Sequence, residues 1–290
     1  MQLPEIDAQN PDEQLADYMF DLNGFLIMRN AVDPADIDVM NQWVDDHWDY
    51  VVNSKPGDIS HAGKWIGHIE THSYSGADGT NFQNIVEAGP VFEKMIDHPS
   101  WIERIKRYVN SQYNGLSIHE NLLSIRGKGG YIGIHSGGHM PISYMTFRQA
   151  NTHEWMVGQI NVITALEDIG PGDGPTTIVP GSHKGTIPNP SLSGGRVYRS
   201  DAAAGEAPCM IELYLNKGDT VMFTDAITHG SAERTNEGYR RITLYRYSPR
   251  YVATRFNYEV SDALLNRLTE ERRNILQPIP PRKPTQQPAT

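Results

Sequence analysis

The sequence predicts an all-β core with flanking helices. We expect the strands of this core to pair as an antiparallel sandwich or barrel. From residue 121 the chain consists of short β-rich runs: NLLSIR, YIGIH, QINVITAL, TTIVP, MIELYL, TVMFT and ITLYRYS. Turn-forming stretches such as RGKGG, DIGPGDGP and LNKGD separate these runs. A parallel βαβ fold would need helices between the strands, so this pattern favours antiparallel pairing. We place the β core at about residues 121–255.

The N-terminal part of the chain predicts a strand followed by a helix. Residues 25–28 form the apolar run FLIM, Asp33 is a favourable N-cap, and Pro34 suits the first helical position. Apolar residues then recur at helical spacing, at Ile37, Met40, Val44 and Trp48. Residues 53–90 have weak periodicity and are expected to form a long loop that is functional or mobile.

Helical patterns also occur on both sides of the β-rich runs. Residues 91–97 and 101–108 show them before the core, and residues 258–277 show one after it, with Ser261 as a plausible cap. The Pro-rich residues 278–290 are expected to form a disordered or surface-wrapping tail.

Length and charge limit the classes of function. No charge run or low-complexity linker divides the chain, so we expect one domain over residues 1–277. The 25 Lys and Arg against 35 Asp and Glu give a net charge of -10, which repels nucleic acid and anionic membranes. No apolar run could span a bilayer, and a cytoplasmic protein is expected. Cys209 stands alone, so redox chemistry would need a cofactor.

Two histidines and a pair of arginines carry the chemical signal. His135 ends the run YIGIH, and His229 follows TVMFT before a turn of small residues. Two imidazoles at strand ends of one β domain can share a metal ion. Arg240 and Arg241 enter another strand, where alternation turns one of them inward. An inward arginine in a sandwich needs an anion.

The order of four blocks resembles the phytanoyl-CoA dioxygenase family of iron(II)/2-oxoglutarate-dependent oxygenases. These blocks are GFLIMRNAVDPADID, GIHSG, ITALEDIGPGDGPTTIVPGSHK and GDTVMFTDAITHGSAERTNEGYRRITLYRYSP, and the resemblance covers roughly residues 15–260. It implies a double-stranded β-helix, the cupin-like jelly roll. It also implies Fe(II), 2-oxoglutarate and O2 as cofactors, and a small-molecule substrate.

The resemblance assigns a role to three residues. His135 matches the first iron-binding histidine, and His229 matches the distal one in the family's His-x-Asp and His triad. Arg240 lies eleven positions after His229, where the family binds the far carboxylate of 2-oxoglutarate. A planar guanidinium suits that carboxylate because it can donate two parallel hydrogen bonds. Arg241 is then expected to face the other way.

Further residues are candidates for cosubstrate or substrate contact. Gln159 and Asn161 occupy alternate positions of a central strand and are expected to point into the barrel, although a polar network in the core is an equal alternative. The segments 138–157 and 61–82 are candidates for an active-site wall or lid. For 138–157, ordinary loop packing or contact with the second subunit of a homodimer are the alternatives.

Gly137 departs from the family pattern. It stands where the family has the iron-binding aspartate, so the motif is His-Ser-Gly and one coordination position is left open. Chloride would fill that position and restore the charge, as in nonhaem iron halogenases that carry Gly or Ala there. The sequence therefore favours halogenation of a C–H bond narrowly over hydroxylation with water at the open position. The third alternative is a noncatalytic binding protein on the same fold.

Other side chains compete for the open position. Asp225 lies four residues before His229, and the favoured role for it is to orient that histidine or to make a turn contact. His139 is a weaker candidate because the glycines before it leave its direction unspecified. Asp168 and Asp173 belong to the turn EDIGPGDG, where they are expected to satisfy backbone groups.

Overall fold

A computed structural model describes the chain over residues 3–51, 64–73, 78–136, 146–187, 189–190, 198–203, 208–253 and 257–277. Three features predicted from the sequence, Gly137, His139 and the tail at 278–290, lie outside these described residues.

The strands lie in two sheets. In chain order they are β1 (Glu5–Asp7), β2 (Phe25–Arg29), β3 (Trp65–Ile66), β4 (Ile69–His72), β5 (Thr80–Gln83), β6 (Ser117–Arg126), β7 (Gly133–Ser136), β8 (Ile160–Ala165), β9 (Thr176–Ile178), β10 (Tyr198–Ala203), β11 (Ile211–Leu213), β12 (Thr220–Thr224), β13 (His229–Ser231) and β14 (Arg240–Ser248). Within the described residues, the large sheet has the order β1-β2-β12-β8-β14-β6-β5-β4-β3 and the small sheet β10-β7-β13-β9-β11. Apart from the parallel pair β1 and β2, the neighbouring strands run antiparallel, as predicted.

Helices flank the large sheet. They are α1 (Glu13–Asn23), α2 (Pro34–Asp46), α3 (Pro90–Glu93), α4 (Ile102–Tyr108), α5 (Ser111–Asn114), α6 (Asp262–Arg267) and α7 (Glu270–Leu276). The predicted cap of α2 forms, because the Asp33 side chain accepts a hydrogen bond from the Ala35 N–H. The longest helix in the described ranges has 13 residues, and none of them is long and apolar enough to cross a membrane.

Several predicted boundaries differ from the structure. Trp48 lies in a 3₁₀ turn after α2, and the closing helix is divided because Leu268 is extended and Thr269 caps a new helix by accepting from the Arg272 N–H. The expected loop at 53–90 contains β3, β4 and β5 in its described part. These strands are two to four residues long, so their alternation is too short to identify from the sequence.

The two faces of the large sheet bury different cores. On β2, Phe25 and Ile27 belong to the cluster between the sheets, whereas Leu26 and Met28 belong to the cluster under the helices. On β14, Ile242 and Leu244 face the small sheet. Because strand side chains alternate, every second residue on β14 shares that inner face, and this places Arg240 and Arg246 between the sheets.

Candidate active site

His135 and His229 face each other on neighbouring strands of the small sheet. They are register partners across the antiparallel pair β7 and β13, and their ring centroids lie 4.0 Å apart. His229 also packs edge-on against Phe223, at 4.8 Å between ring centroids. Strand pairing therefore brings together the two predicted metal ligands, which are separated by more than ninety residues in the chain.

The two imidazoles are held in the same way. The Nδ1 atom of His135 lies 2.9 Å from the Gly133 carbonyl oxygen, and that of His229 lies 2.9 Å from the Ile227 carbonyl oxygen. Donation from Nδ1–H to a carbonyl leaves the lone pair on Nε2, the nitrogen that can bind a metal. Burial and the neighbouring His229 lower the pKa of His135 to about 3, so this imidazole is neutral at neutral pH. These features fit a metal ion.

Asp225 lies beside the histidine pair. It follows β12 directly, is 5% exposed, and its N–H donates to the Gln159 carbonyl oxygen at 3.1 Å. Its Oδ1 atom is 3.7 Å from the Nε2 of His229, and its charge also acts on His135. Within the described ranges, no group of three His, Cys, Asp or Glu side chains has a preassembled metal-binding geometry.

Asn161 on β8 and Gln159, directly before this strand, connect to Asp225. The Nδ2 of Asn161 donates to Asp225 Oδ1 at 2.8 Å, and the Nε2 of Gln159 donates weakly to Asn161 Oδ1 at 3.4 Å. Gln159 is 1% exposed, and its Oε1 has no hydrogen-bond partner among the described residues. Both predicted residues therefore belong to a buried polar network, and this network reaches the histidine pair through Asp225.

Arg240 is a buried cation with neutral partners. It is 4% exposed, and its Nη1 donates to the Gly174 carbonyl oxygen at 2.8 Å while its Nη2 donates to Thr176 Oγ1 at 3.3 Å. Gly174 has φ +71°, a left-handed conformation that glycine adopts easily. The Nε of Arg240 has no hydrogen-bond partner among the described residues.

Two more arginines surround Arg240. Arg126 is its register partner across β6 and β14, and Arg234 also lies near enough to lower its pKa. Burial is the largest cause of the lowered pKa of Arg240. Arg126 pairs with Asp78 at 3.4 Å and Arg234 with Asp173 at 3.1 Å, so these three arginines share two carboxylates. The cluster is therefore suited to an anion from outside the chain.

Strand β13 links the histidine pair to this cluster. Thr176, which accepts from Arg240, is the register partner of Ser231. Ser231 lies two residues beyond His229 on β13, which is roughly 7 Å along a strand.

Arg241 faces the helices, as expected. Its Nη2 contacts Asp45 Oδ1 at 2.7 Å and its Nη1 contacts Asn41 Oδ1 at 3.3 Å, both on α2. Its Nε lies 3.5 Å from Glu167. Arg241 therefore has partners on the outer face and takes no part in the inner cluster.

The sequence patterns do not single out an ion pair at the other end of β14. Arg246 contacts Glu120 at 3.0 Å from Nη1 to Oε2, and Glu120 is its register partner on β6. Gln83 donates to the other carboxylate oxygen of Glu120 at 3.1 Å. Arg246 also influences His135 electrostatically. The alternation that turns Arg240 inward could have identified Arg246, but the identity of its partner could not be predicted.

The two predicted lid segments are described only in part. In 138–157, Phe147 and Trp155 pack against Phe20 on α1, with ring centroids 5.6 and 5.9 Å away. Of the alternatives expected for this segment, ordinary packing therefore describes these two side chains. In 61–82, the described part forms strands and supplies Asp78 to Arg126. Asp168 and Asp173 accept from the Lys217 and Gly170 N–H groups, the turn role expected for them.

Comparison with known protein families finds one match over most of the chain. The family model described as "Phytanoyl-CoA dioxygenase (PhyH)" matches residues 20–242. A "Probable phytanoyl-CoA dioxygenase" of Caenorhabditis elegans is 25% identical over 238 residues, which cover 79% of this chain and 73% of that protein. The "Phytanoyl-CoA dioxygenase, peroxisomal" of Mus musculus is 31% identical over 108 residues, which cover 36% of this chain and only 30% of that protein.

Solved structures support the fold. HygX from Streptomyces hygroscopicus with nickel and 2-oxoglutarate bound superposes with a TM-score of 0.60 at 18% identity, covering 83% of this chain and 88% of HygX. The iron-bound form of HygX gives a TM-score of 0.61 at 19% identity, with the same coverage of both chains. At these identities the likeness concerns the fold alone, and it confirms the predicted jelly roll with flanking helices.

Proposed function

The chain belongs to the phytanoyl-CoA dioxygenase family, and we propose that it is an iron(II)- and 2-oxoglutarate-dependent oxygenase that oxidises a C–H bond of a small molecule. The observation that carries this proposal is the occurrence, in one sandwich, of two metal-competent imidazoles and a buried arginine whose hydrogen-bond partners in the described part of the chain are neutral. The HygX structures bind nickel or iron, one of them together with 2-oxoglutarate, which supports the same cofactors here.

In this proposal the residues of the chain position the reactants. His135 and His229 hold iron(II) through Nε2, because their Nδ1 atoms are directed at backbone carbonyls. Arg240 receives the far carboxylate of 2-oxoglutarate, since a charge-assisted pair would compensate a cation that the inner face leaves unbalanced. When bound, iron(II) would activate dioxygen, whose four-electron reduction would take two electrons from the oxidative decarboxylation of 2-oxoglutarate and two from the unactivated C–H bond that is oxidised.

The inner face near the histidines supports a polar substrate. Gln159, Asn161, Glu120 and Arg246 all lie on this face, and Arg246 is close enough to His135 to affect its pKa. Buried groups of this kind favour a ligand with hydrogen-bonding groups over a long hydrocarbon chain. We therefore infer a small polar substrate, without a specific identity.

Halogenation is the second candidate reaction. Gly137 in place of the family's aspartate favours it, because an anion such as chloride can take a coordination position that lacks a carboxylate. The position of Asp225 favours hydroxylation instead, since a carboxylate from elsewhere in the chain lies 3.7 Å from His229. We give hydroxylation precedence for this reason.

Anaerobic titration tests the oxygenase proposal. We expect a visible charge-transfer band when both iron(II) and 2-oxoglutarate are added, and oxygen-dependent consumption of 2-oxoglutarate after aeration. No band and no consumption would contradict the proposal. A screen of small polar molecules by mass spectrometry then separates the reactions, because hydroxylation adds one oxygen whereas halogenation replaces hydrogen with the halogen supplied.

A further inference from the structure

We propose that Asp225 supplies the third protein ligand of the iron site, in place of the carboxylate that is missing at Gly137. This inference rests on the proposed iron-dependent function and departs from the ligand pattern of the family. The ligand set remains two histidines and one carboxylate. The carboxylate comes from the position four residues before His229 instead of the position two residues after His135.

The separation of the ligand atoms supports a shared ion. Two atoms that each lie about 2.1 Å from one metal ion are roughly 3.0 Å apart when adjacent and about 4.2 Å apart when opposite. Asp225 Oδ1 and His229 Nε2 are 3.7 Å apart, which lies inside this range. Among the described residues no group of three His, Cys, Asp or Glu side chains is preassembled for a metal ion, so the proposal rests on the proximity of Asp225 to His229.

The surroundings hold Asp225 at this place. Its N–H is fixed to the Gln159 carbonyl oxygen, and its Oδ1 accepts from Asn161 at 2.8 Å. Asn161 on β8 in turn accepts from Gln159, directly before the strand, at 3.4 Å, so these two side chains help to hold the carboxylate in place. Partners that orient a ligating carboxylate in this way are typical of metal sites.

The proposed ligand set has a consequence for chloride. Asp225 is 5% exposed and lies beside His229. Iron(II) held by the three side chains would already have its carboxylate, and chloride would not be needed for charge or coordination.

The test compares wild type with Asp225→Ala and the isosteric Asp225→Asn in anaerobic iron(II) and 2-oxoglutarate titrations, with and without chloride. Asp168→Asn is the matched control, because Asp168 is an exposed carboxylate in a turn. We expect the two Asp225 variants to bind iron(II) on the order of 10- to 100-fold more weakly and the control to bind it normally. The charge-transfer band should shift with chloride in Asp225→Ala and stay unchanged in wild type.

The chloride response separates a ligand from a residue that only orients His229. If the wild-type band shifts with chloride as much as the variant band, or if the Asp225 variants bind iron(II) like wild type, the inference is overturned while the oxygenase proposal stands. Absence of a band in wild type would overturn both. The double variant Gly137→Asp/Asp225→Ala restores the family pattern, and we expect it to recover iron(II) affinity and lose the chloride response.

Discussion

Arg240 and Arg246 lie on the same strand and the same inner face, yet their surroundings differ. Arg246 meets the carboxylate of Glu120 at 3.0 Å, whereas the hydrogen bonds of Arg240 go to a carbonyl and a hydroxyl. Arg240 also has another arginine, Arg126, directly opposite it. Like charges in register are unfavourable unless something else compensates them. One end of β14 therefore contains its own counterion, and the other is arranged for an anion supplied by solution.

Breaking the internal pair should have the largest effect on stability. Arg246→Met removes the cation that contacts Glu120, whose side chain is 0% exposed. We expect a loss of about 3 kcal/mol in the free energy of unfolding, measured by urea denaturation. The double variant Arg246→Met/Glu120→Gln should recover much of this loss, because no charge then remains buried. Equal losses in the single and double variants would contradict the role of the pair.

Removing Arg240 should instead weaken cosubstrate binding. Arg240→Gln is expected to raise the 2-oxoglutarate concentration for half-saturation on the order of 100-fold, because a buried charge-assisted pair is lost. The measurement is the anaerobic charge-transfer titration. The free energy of unfolding without 2-oxoglutarate should not fall, since the change removes a buried cation whose hydrogen-bond partners among the described residues are neutral. An unaltered half-saturation concentration would mean that another group binds the carboxylate.

The gain in unfolding free energy on binding of 2-oxoglutarate also tests the assignment of Arg240. With iron(II) present and 2-oxoglutarate at about 100 times its wild-type Kd, wild type should gain about 2.7 kcal/mol in unfolding free energy. At the same concentration Arg240→Gln should gain only about 0.4 kcal/mol if its Kd is 100-fold higher. Anaerobic thermal or urea unfolding measures both values. Equal gains in the two proteins would contradict the assignment of Arg240.

The smallest effect is expected at Arg241, the adjacent arginine on the opposite face. It pairs with Asp45, whose side chain is 56% exposed, so Arg241→Gln should cost at most about 1 kcal/mol in unfolding free energy. Its 2-oxoglutarate half-saturation should equal that of wild type. A large rise in that concentration would show that the two arginines had been assigned to the wrong faces.

The parts of the fold predicted from the sequence are those with strong local signals. The strands QINVITAL, TVMFT and ITLYRYS, and the cap at Asp33, all follow from periodicity and capping chemistry within a few residues. Strands β3 to β5 could not be predicted as readily, because their segments are short and they are ordered by pairing within the large sheet. Helix α1 was not predicted, although Asp12 and Gly24 cap it and Ala16 and Phe20 form a buried face.

The residues of the candidate site also divide into those that the sequence predicted and those that only the structure brought together. The roles of His135, His229 and Arg240 remain predictions, but the structure does place the two histidines in register and Arg240 on the inner face. Asp225 was expected to orient His229 or to contact a turn, and its distance from the Nε2 atom of His229 suggests a more direct role. Gly137 lies outside the described residues, so its predicted role is untested.

The sequence by itself determined which side chains lie at strand ends and which share a face of a strand, because alternation and turn chemistry are local properties. Only the tertiary structure decided which of them meet. Glu120 and Arg246 pair across β6 and β14, and Asn161 on β8 reaches Asp225 after β12. These contacts depend on strand register between distant segments, and register is fixed by the packing of the whole sandwich. Asp225 therefore becomes the candidate for the third iron ligand only through the way that β8, β12 and β13 meet in the tertiary structure.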